Sequence, residues 1–331
     1  SKAVKINSDT VETYTALGNL FRSKGEVARA IRIHQSIILR PNIDHKTKVQ
    51  ASYDLGLDYK KAGFVNKAIE SFEEVVKIEK RHLEAHVQLV GLYEDTVEWE
   101  KAYHTQTLLS KIKKSDDSHV LAHHQVELGK ILSANGMESQ AKKAYTKAIS
   151  LNRNCVDAYL HYGDLLFSEG AYPKAITQWK KMMELAPNFT YLAYPRLEDA
   201  YFKLNKFDQM EVVLRENSKK NYHDIHTHLA LAEYLYKKSM FAEAIGELKT
   251  VLELDPSHLG AGRKMGQYLL EQGRESEAVA VYQDLFDKSP LPENYFQCRE
   301  CGYDSRELHW RCPQCHSWDS ISGKTVSLEK A

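Results

Sequence analysis

The sequence predicts an all-α superhelical solenoid of paired helices that ends in a small cysteine-rich knuckle. Two observations lead to this fold class. A pattern of apolar, small and aromatic residues recurs about every 34 residues through most of the 331-residue chain, and a period of that length is typical of stacked helical repeats. Four of the five cysteines lie in the last tenth of the chain, so that segment has a different architecture.

The composition is that of a folded globular chain without a charge bias. The 45 Lys and Arg residues balance 45 Asp and Glu residues, and 43% of the chain is hydrophobic. This balance disfavours a nucleic-acid binder that works through its net charge, because counterion release needs a surplus of Lys and Arg. No run approaches the ~18 apolar residues that a membrane-spanning helix needs.

The repeat register follows a position in the first helix of each repeat that usually holds a small residue. Its members are Gly18, Gly56, Val90, Gly129, Gly163, Glu198, Ala232 and Gly266. Their spacings are 38, 34, 39, 34, 35, 34 and 34 residues, and an alanine follows twelve residues later in seven of the eight cases. This is the tetratricopeptide pattern, and it predicts eight repeats over residues 11–290.

The recurrent positions each have a physical reason. Glycine in the first helix allows the second helix to approach closely, and an aromatic residue of the second helix closes the core there. The aromatic residues are Phe72, Tyr145, Trp179 and Tyr282. A second glycine ends the first helix in a left-handed conformation; its members are Gly25, Gly63, Gly136, Gly170 and Gly273. Prolines end second helices, because proline cannot continue a helix, at Pro187, Pro256 and Pro290.

Two repeats depart from the pattern. The sixth has Asn205 and Met210 where glycine and alanine are usual, which indicates either a tolerated variant or a bend or partner contact. The 39-residue step contains the polar segment 111–119, for which we predict a loop insertion.

The first ten residues predict the remnant of a preceding repeat. Residues 2–9 are similar to the end of a second helix and the turn after it, as in Leu252–Pro256. We therefore expect that a preceding segment, which could include a membrane anchor, is missing from this chain.

The C-terminal segment, residues 291–331, contains two C-x2-C pairs: Cys298 with Cys301 and Cys312 with Cys315. Four thiolates in two short turns are the usual ligands of a closed tetrahedral metal site. The segment is too small to fold on an apolar core alone, so a structural metal ion would supply the missing stability. A disulfide framework is the less favoured alternative, because a helical repeat chain with an unpaired Cys155 indicates a reducing compartment.

The sequence leaves more than one candidate for the identity of the metal ion and for the function of the knuckle. Four thiolates accept zinc and iron, and we favour zinc, because the ten residues between the pairs are too few for the core of an electron-transfer rubredoxin. Nucleic-acid binding is disfavoured, since from Cys298 onward five basic residues face five acidic ones and leave no basic surface.

Partner contacts are predicted on the groove side of the first helices and on the knuckle. Helical spacing places Asn19 and Arg22 of the first repeat, and Tyr53 and Lys60 of the second, on the groove side. Asn19 and Arg22 need not be there for packing, although a solvated helix face is the alternative. Trp310 and Trp318 of the knuckle form either a docking surface or the small core of the knuckle itself.

No catalytic group emerges from the sequence. The histidines at 123, 124, 223, 226 and 228 have no cysteine or carboxylate pattern beside them, so we predict surface or groove histidines and no enzyme.

The combined motifs resemble the LapB family, the lipopolysaccharide assembly proteins of Gram-negative bacteria. The resemblance lies in the segment Leu17–Gln35, in Cys298-x-x-Cys301-Gly302 and in Trp310-x-Cys312-Pro313-x-Cys315-x-x-Trp318, and it extends over essentially the whole chain. It implies tetratricopeptide repeats followed by a rubredoxin-like metal knuckle. It also implies an inner-membrane protein with one N-terminal anchor and its bulk on the cytoplasmic side.

The function implied by this resemblance is that of an adaptor. Such a protein regulates lipid A synthesis by presenting the committed-step deacetylase to a membrane-bound AAA+ metalloprotease, and it contacts other lipopolysaccharide assembly proteins. The alternatives are a zinc-ribbon nucleic-acid binder and a rubredoxin-type electron carrier on a repeat scaffold.

Overall fold

The computed structural model of the protein describes residues 2–288, 296–307, 309, 312–315, 317 and 320–323. The chain divides into two compact units, residues 1–185 and residues 186–331. In both units the described residues form consecutive pairs of helices joined by short turns, as the repeat register predicts.

The first unit consists of five helix pairs. They are α1 (Lys2–Ser23) and α2 (Val27–Ile38), α3 (His45–Lys61) and α4 (Val65–Ile78), α5 (Leu83–Asp95) and α6 (Trp99–Lys113), α7 (Ser118–Ala134) and α8 (Glu138–Leu151), and α9 (Val156–Ser168) and α10 (Tyr172–Leu185).

The second unit begins with a 3-10 helix, Pro187–Leu192, and continues with three helix pairs and three short strands. The helices are α11 (Tyr194–Lys203) and α12 (Gln209–Lys220), α13 (Ile225–Lys237) and α14 (Phe241–Leu254), and α15 (Leu259–Glu271) and α16 (Glu275–Lys288). The strands are β1 (Phe296–Cys298), β2 (Asp304–Ser305) and β3 (Ile321–Gly323).

The crossing of the two helices in a repeat is built from a glycine and a ring, as predicted. A Cβ atom on Gly163 would lie 2.3 Å from Nε1 of Trp179, and one on Gly56 would lie 2.7 Å from Cε1 of Phe72. Both rings are almost completely buried. In the first repeat His34 takes the place of the aromatic ring, and a Cβ on Gly18 would lie 2.5 Å from its Nε2.

The turn between the two helices contains a left-handed residue in all eight repeats. Five of these residues are the predicted glycines, with φ between +70° and +81°. The other three are Val97, Asn205 and Ser239, with φ of +63°, +54° and +62°. Val97 is the most strained of them, because a β-branched side chain crowds the backbone in this region.

The predicted loop insertion in the fourth repeat is wrong. Only four residues separate α6 from α7, as between α4 and α5. Four of the five additional residues lengthen α7, which has 17 residues where α5 has 13. The fifth lies in α6, which has 15 residues where α4 has 14. Residues 118–128 contain no glycine or proline, so nothing in this stretch stops the helix from beginning one turn earlier.

The predicted turn near the N-terminus is also wrong. Residues 2–23 form one uninterrupted helix. The Ser8-Asp9 pair is compatible with a helix, and the first glycine of the chain is Gly18. That residues 1–10 derive from a preceding repeat stays a prediction.

The sixth repeat replaces part of the usual apolar packing with a buried polar network. The carboxylate of Asp224 accepts hydrogen bonds from the hydroxyls of Thr190, at 2.8 Å, and Thr227. Asn217 Nδ2 donates to the hydroxyl of Tyr194 at 2.6 Å. Met210 is only 3% exposed, so it fills the space at the alanine position, which supports the interpretation as a tolerated variant.

Within the part of the chain that the structure describes, no helix has both the length and the apolar content that crossing a bilayer requires.

Candidate metal centre and partner surfaces

The four knuckle cysteines are positioned by a small antiparallel sheet. Its strand order is β2-β1-β3, and Phe296 lies opposite both Ser305 and Gly323. The first knuckle closes where the amide of Cys298 donates to Tyr303 O at 2.9 Å and the amide of Gly302 donates to Cys298 O at 3.0 Å. Gly302 has φ of +75°, a conformation that glycine adopts without steric cost.

The sulfur atoms form the geometry of a four-thiolate site. All four Sγ atoms lie within 4.8 Å of one another. Cys298 Sγ is 3.7 Å from Cys315 Sγ, and Cys301 Sγ is 3.6 Å from Cys312 Sγ. A regular tetrahedron with metal–sulfur distances of about 2.3 Å has edges of about 3.8 Å. The residues therefore fit a tetrahedral metal ion, and all five cysteines of the chain are free thiols.

Hydrogen bonds favour the thiolate form that metal binding needs at two of the four cysteines, Cys298 and Cys315. Ser320 Oγ lies 3.2 Å from Cys298 Sγ. This contact, with the backbone amides of Cys301 and Glu300, lowers the pKa of the Cys298 thiol to about 6. The hydroxyl and amide of Ser317 lower the pKa of Cys315 in the same way.

The donor set also limits the chemistry. Four protein thiolates complete a tetrahedral coordination shell and leave no open position for water or substrate. Among the described residues, no second group of His, Cys, Asp and Glu side chains converges in this way. The centre is therefore suited to holding the knuckle together, with zinc or iron as the ion.

Comparisons with known proteins match both parts of the chain. The rubredoxin metal binding domain family matches residues 296–322, and the tetratricopeptide repeat family matches residues 126–187 and 229–291. Lipopolysaccharide assembly protein B of Haemophilus influenzae is 31% identical over 322 residues, which cover 96% of this chain and 80% of that protein. The chain belongs to the lipopolysaccharide assembly protein B family.

A second relative agrees with this assignment. Lipopolysaccharide assembly protein B of Escherichia coli is 27% identical over 320 residues, which cover 96% of this chain and 82% of that protein. The family assignment confirms the resemblance found in the sequence, and the matched repeats and knuckle confirm the predicted fold class. Among solved structures, a crystal structure of MamA covers 55% of this chain and 94% of its own, with 24% identity and a TM-score of 0.37.

Arg22, one of the predicted partner residues, is engaged in ion pairs within the chain. Its Nη1 is 2.9 Å from Asp58 Oδ1, and its Nη2 is 3.1 Å from Asp54 Oδ1 and also donates to Asn19 Oδ1. Asp58 is completely buried and also lies 2.6 Å from Nδ1 of His34. The assumption that Arg22 and Asn19 are not needed for packing is therefore wrong. A partner contact at these residues stays a prediction.

Sequence reasoning missed Asp54 and Asp58. Both lie on α3 inside a mostly buried stretch, with side chains 4% and 0% exposed. A carboxylate in such a stretch signals a buried ion pair, because burial of an unpaired charge is costly. The cation that pairs with both carboxylates is Arg22, which is 32 or more residues away in sequence and lies in another repeat.

The remaining predicted partner residues are placed as follows. Tyr53 is half-buried, and its ring lies 5.1 Å from that of His82. Lys60 is exposed and donates to Gln88 Oε1 at 2.7 Å. Trp310 and Trp318 lie outside the described residues. Contacts of these four residues with partners stay predictions.

Two of the five histidines are not surface residues, contrary to the prediction. His124 and His228 are 2% and 3% exposed. His124 Nε2 lies 2.7 Å from Glu94 Oε1, and His228 Nδ1 lies 2.6 Å from Glu247 Oε2. The hydrogen bond that His228 donates to Glu247 raises the pKa of His228. These buried histidines join neighbouring helices.

Proposed function

We propose that the chain is a non-catalytic adaptor of lipopolysaccharide assembly. In this proposal it presents the lipid A deacetylase of the committed step to a membrane-bound AAA+ metalloprotease for degradation, and it contacts other assembly proteins. The observation that carries the proposal is the similarity to lipopolysaccharide assembly protein B over 96% of the chain, repeats and knuckle together. The structure adds support, because stacked helix pairs offer extended binding surfaces and a closed thiolate site offers no reactive position.

The knuckle holds one structural metal ion in this proposal, with zinc preferred to iron. The test is metal analysis of the purified chain together with its visible spectrum. One zinc per chain and no visible absorption are expected, since zinc has a filled d shell. A coloured protein with one iron and a reversible potential would overturn the preference and favour electron transfer. Cys312→Ser should lose the metal, whereas Cys155→Ser should retain it, because Cys155 lies outside the site.

The proposed location is the inner membrane, with the repeats and the knuckle on the cytoplasmic side and an N-terminal anchor ahead of the present residues. Fractionation of cells that express the full-length gene product tests this location. Recovery in the soluble fraction after lysis would contradict it.

The adaptor role is tested by capture experiments with the intact chain as bait. Detergent-solubilised Gram-negative membranes supplemented with purified deacetylase should yield both the deacetylase and the protease. Cys312→Ser should reduce capture while helical circular dichroism persists, and Cys155→Ser is the matched control. Failure of the intact chain to capture either protein would overturn the proposal. Salt-sensitive retention of DNA or RNA instead would favour the nucleic-acid alternative.

A further inference from the structure

Ser320 lies between the two knuckles, immediately before strand β3. It is only 4% exposed, although serine is mostly a surface residue. Its neighbour Ile321 pairs with Cys298 across β3 and β1, and the amide of Arg299 donates to Ser320 O at 2.8 Å. The sheet therefore fixes the main chain of Ser320 beside the first knuckle.

The hydroxyl of Ser320 contacts both knuckles. Its Oγ lies 3.2 Å from Cys298 Sγ in the first knuckle. It also donates to Ser317 O, at 3.1 Å, beside the second knuckle. The same oxygen of Ser317 accepts a hydrogen bond from the amide of Cys312 at 2.9 Å. One buried side chain thus connects a ligand of the first knuckle with the turn that carries the second pair of ligands.

The direction of the contact between Ser320 and the sulfur changes with metal ligation. In the metal-free chain the thiol of Cys298 can donate to Ser320 Oγ while the hydroxyl donates to Ser317 O. A thiolate has no proton to donate, so only the hydroxyl can be the donor to a metal-ligating Cys298. The Ser317 oxygen then keeps the amide of Cys312 as its donor. The hydroxyl can therefore turn to the sulfur without leaving a buried acceptor unpaired.

We propose that Ser320 is a positioning residue of the metal site, whose hydroxyl donates a hydrogen bond to the thiolate of Cys298 and thereby strengthens metal binding. A divalent ion with four thiolates carries excess negative charge, and a donor to a sulfur atom offsets part of that charge. Hydrogen bonds to ionised acceptors are stronger than those between neutral groups. Partners of metal ligands typically contribute about tenfold to a hundredfold to metal affinity. The inference rests on the structural metal ion of the proposed function, and it holds for zinc and for iron.

A hydrogen bond to the sulfur also affects the electronic properties of the site. It lowers the energy of the sulfur lone pairs, so its loss moves the thiolate-to-metal charge-transfer band to longer wavelength. Hydrogen bonds to sulfur tune the reduction potentials of iron–sulfur sites for the same reason. A hydroxyl that only held the turn through Ser317 O would leave the band in place. Cobalt(II) is a suitable probe, because it absorbs in thiolate sites where zinc does not.

The test compares three variants of the full chain with the intact chain. Ser320→Ala should lower zinc affinity by about tenfold or more, measured by competition with a chelator, and should move the cobalt(II) charge-transfer band to longer wavelength. Ser320→Thr retains the hydroxyl and should keep the band of the intact chain. The matched control is Ser322→Ala on β3, where half-buried Ser322 lies opposite Gln297. It should change neither the affinity nor the band.

Metal binding by the intact chain separates this inference from the proposed function. If the intact chain bound no metal, the structural metal ion and this inference would both be overturned. Unchanged zinc affinity in Ser320→Ala would overturn this inference alone. Weaker affinity with an unchanged band would also overturn it, since Ser320 would then only hold the turn. If Ser320→Ala bound no metal at all, binding by Ser320→Thr with the band of the intact chain would support the role of the hydroxyl, and loss of metal in both variants would refute it.

Discussion

Replacing Gly163 by alanine tests how closely the two helices of a repeat are packed. The new Cβ would lie 2.3, 2.6 and 2.9 Å from three atoms of the Trp179 ring. That ring is 1% exposed. Its Nε1 donates to Leu160 O and Asp164 Oδ1, both at 3.2 Å. The ring therefore has little freedom to move, and the helices must separate to admit one methyl group.

The expected cost follows from two opposing contributions. Overpacking a core costs roughly 1–3 kcal/mol, and contacts as short as these point to the upper end. Alanine is a better helix former than glycine by about 1 kcal/mol. The net loss in the free energy of unfolding is then about 2 kcal/mol, which corresponds to a fall in Tm of about 4–8 °C for a unit of this size.

The matched control is Gly91→Ala in the same unit. Gly91 lies inside α5, and a Cβ there would have nothing within 4 Å. This variant should gain about 1 kcal/mol from helix propensity alone. Urea and thermal unfolding followed by circular dichroism measure both changes. If Gly163→Ala stabilised the protein as Gly91→Ala does, the close packing described for the helix crossing would be refuted.

Three further predictions concern other repeats. Val97→Gly should raise the free energy of unfolding by up to about 1 kcal/mol, because the strain of a left-handed valine exceeds the entropy cost of glycine. Urea unfolding measures this change, and a lower urea midpoint for the variant would contradict the prediction. Arg22→Met should lower the free energy of unfolding by about 3 kcal/mol, because it leaves two buried carboxylates without their cation. Arg29→Met is the control. Its ion pair is exposed, so the free energy of unfolding should change by less than about 0.5 kcal/mol. The raised pKa of His228 contributes stability that is complete below its unfolded pKa of about 6.5 and is lost as the pH rises through its higher folded pKa. Glu247→Gln should therefore cost about 1–2 kcal/mol at pH 6 and clearly less at pH 9, and a pH-independent cost would count against a protonated His228.

The helix register and the metal ligands could be predicted because each depends on local sequence. Gly163 and Trp179 recur with fixed spacing, and the physical requirement at a helix crossing is the same in every repeat. The ligands Cys298 and Cys315 belong to short turns whose spacing alone indicates a metal site.

The polar interior could not be predicted in this way. The partners of Arg22 lie in another repeat, and nothing in the repeat pattern indicates which residues meet across that interface. His228 has an exposed neighbour at His226, so composition does not separate the buried histidine from the surface one. The length of α7 was missed because spacing counts additional residues without indicating whether they lengthen a loop or a helix.

The contact between the glycine of the first helix and the ring of the second helix restricts how the repeats can vary. Where glycine gives way to Val90 or Ala232, the matching position of the second helix holds Gln106 or Leu248 instead of an aromatic ring. The two positions share one volume, so a change at one is expected to be accompanied by a change at the other, and they should covary among related chains. A repeat could then be exchanged between relatives as a helix pair, but an exchange of single helices would leave either a cavity or an overlap at the crossing.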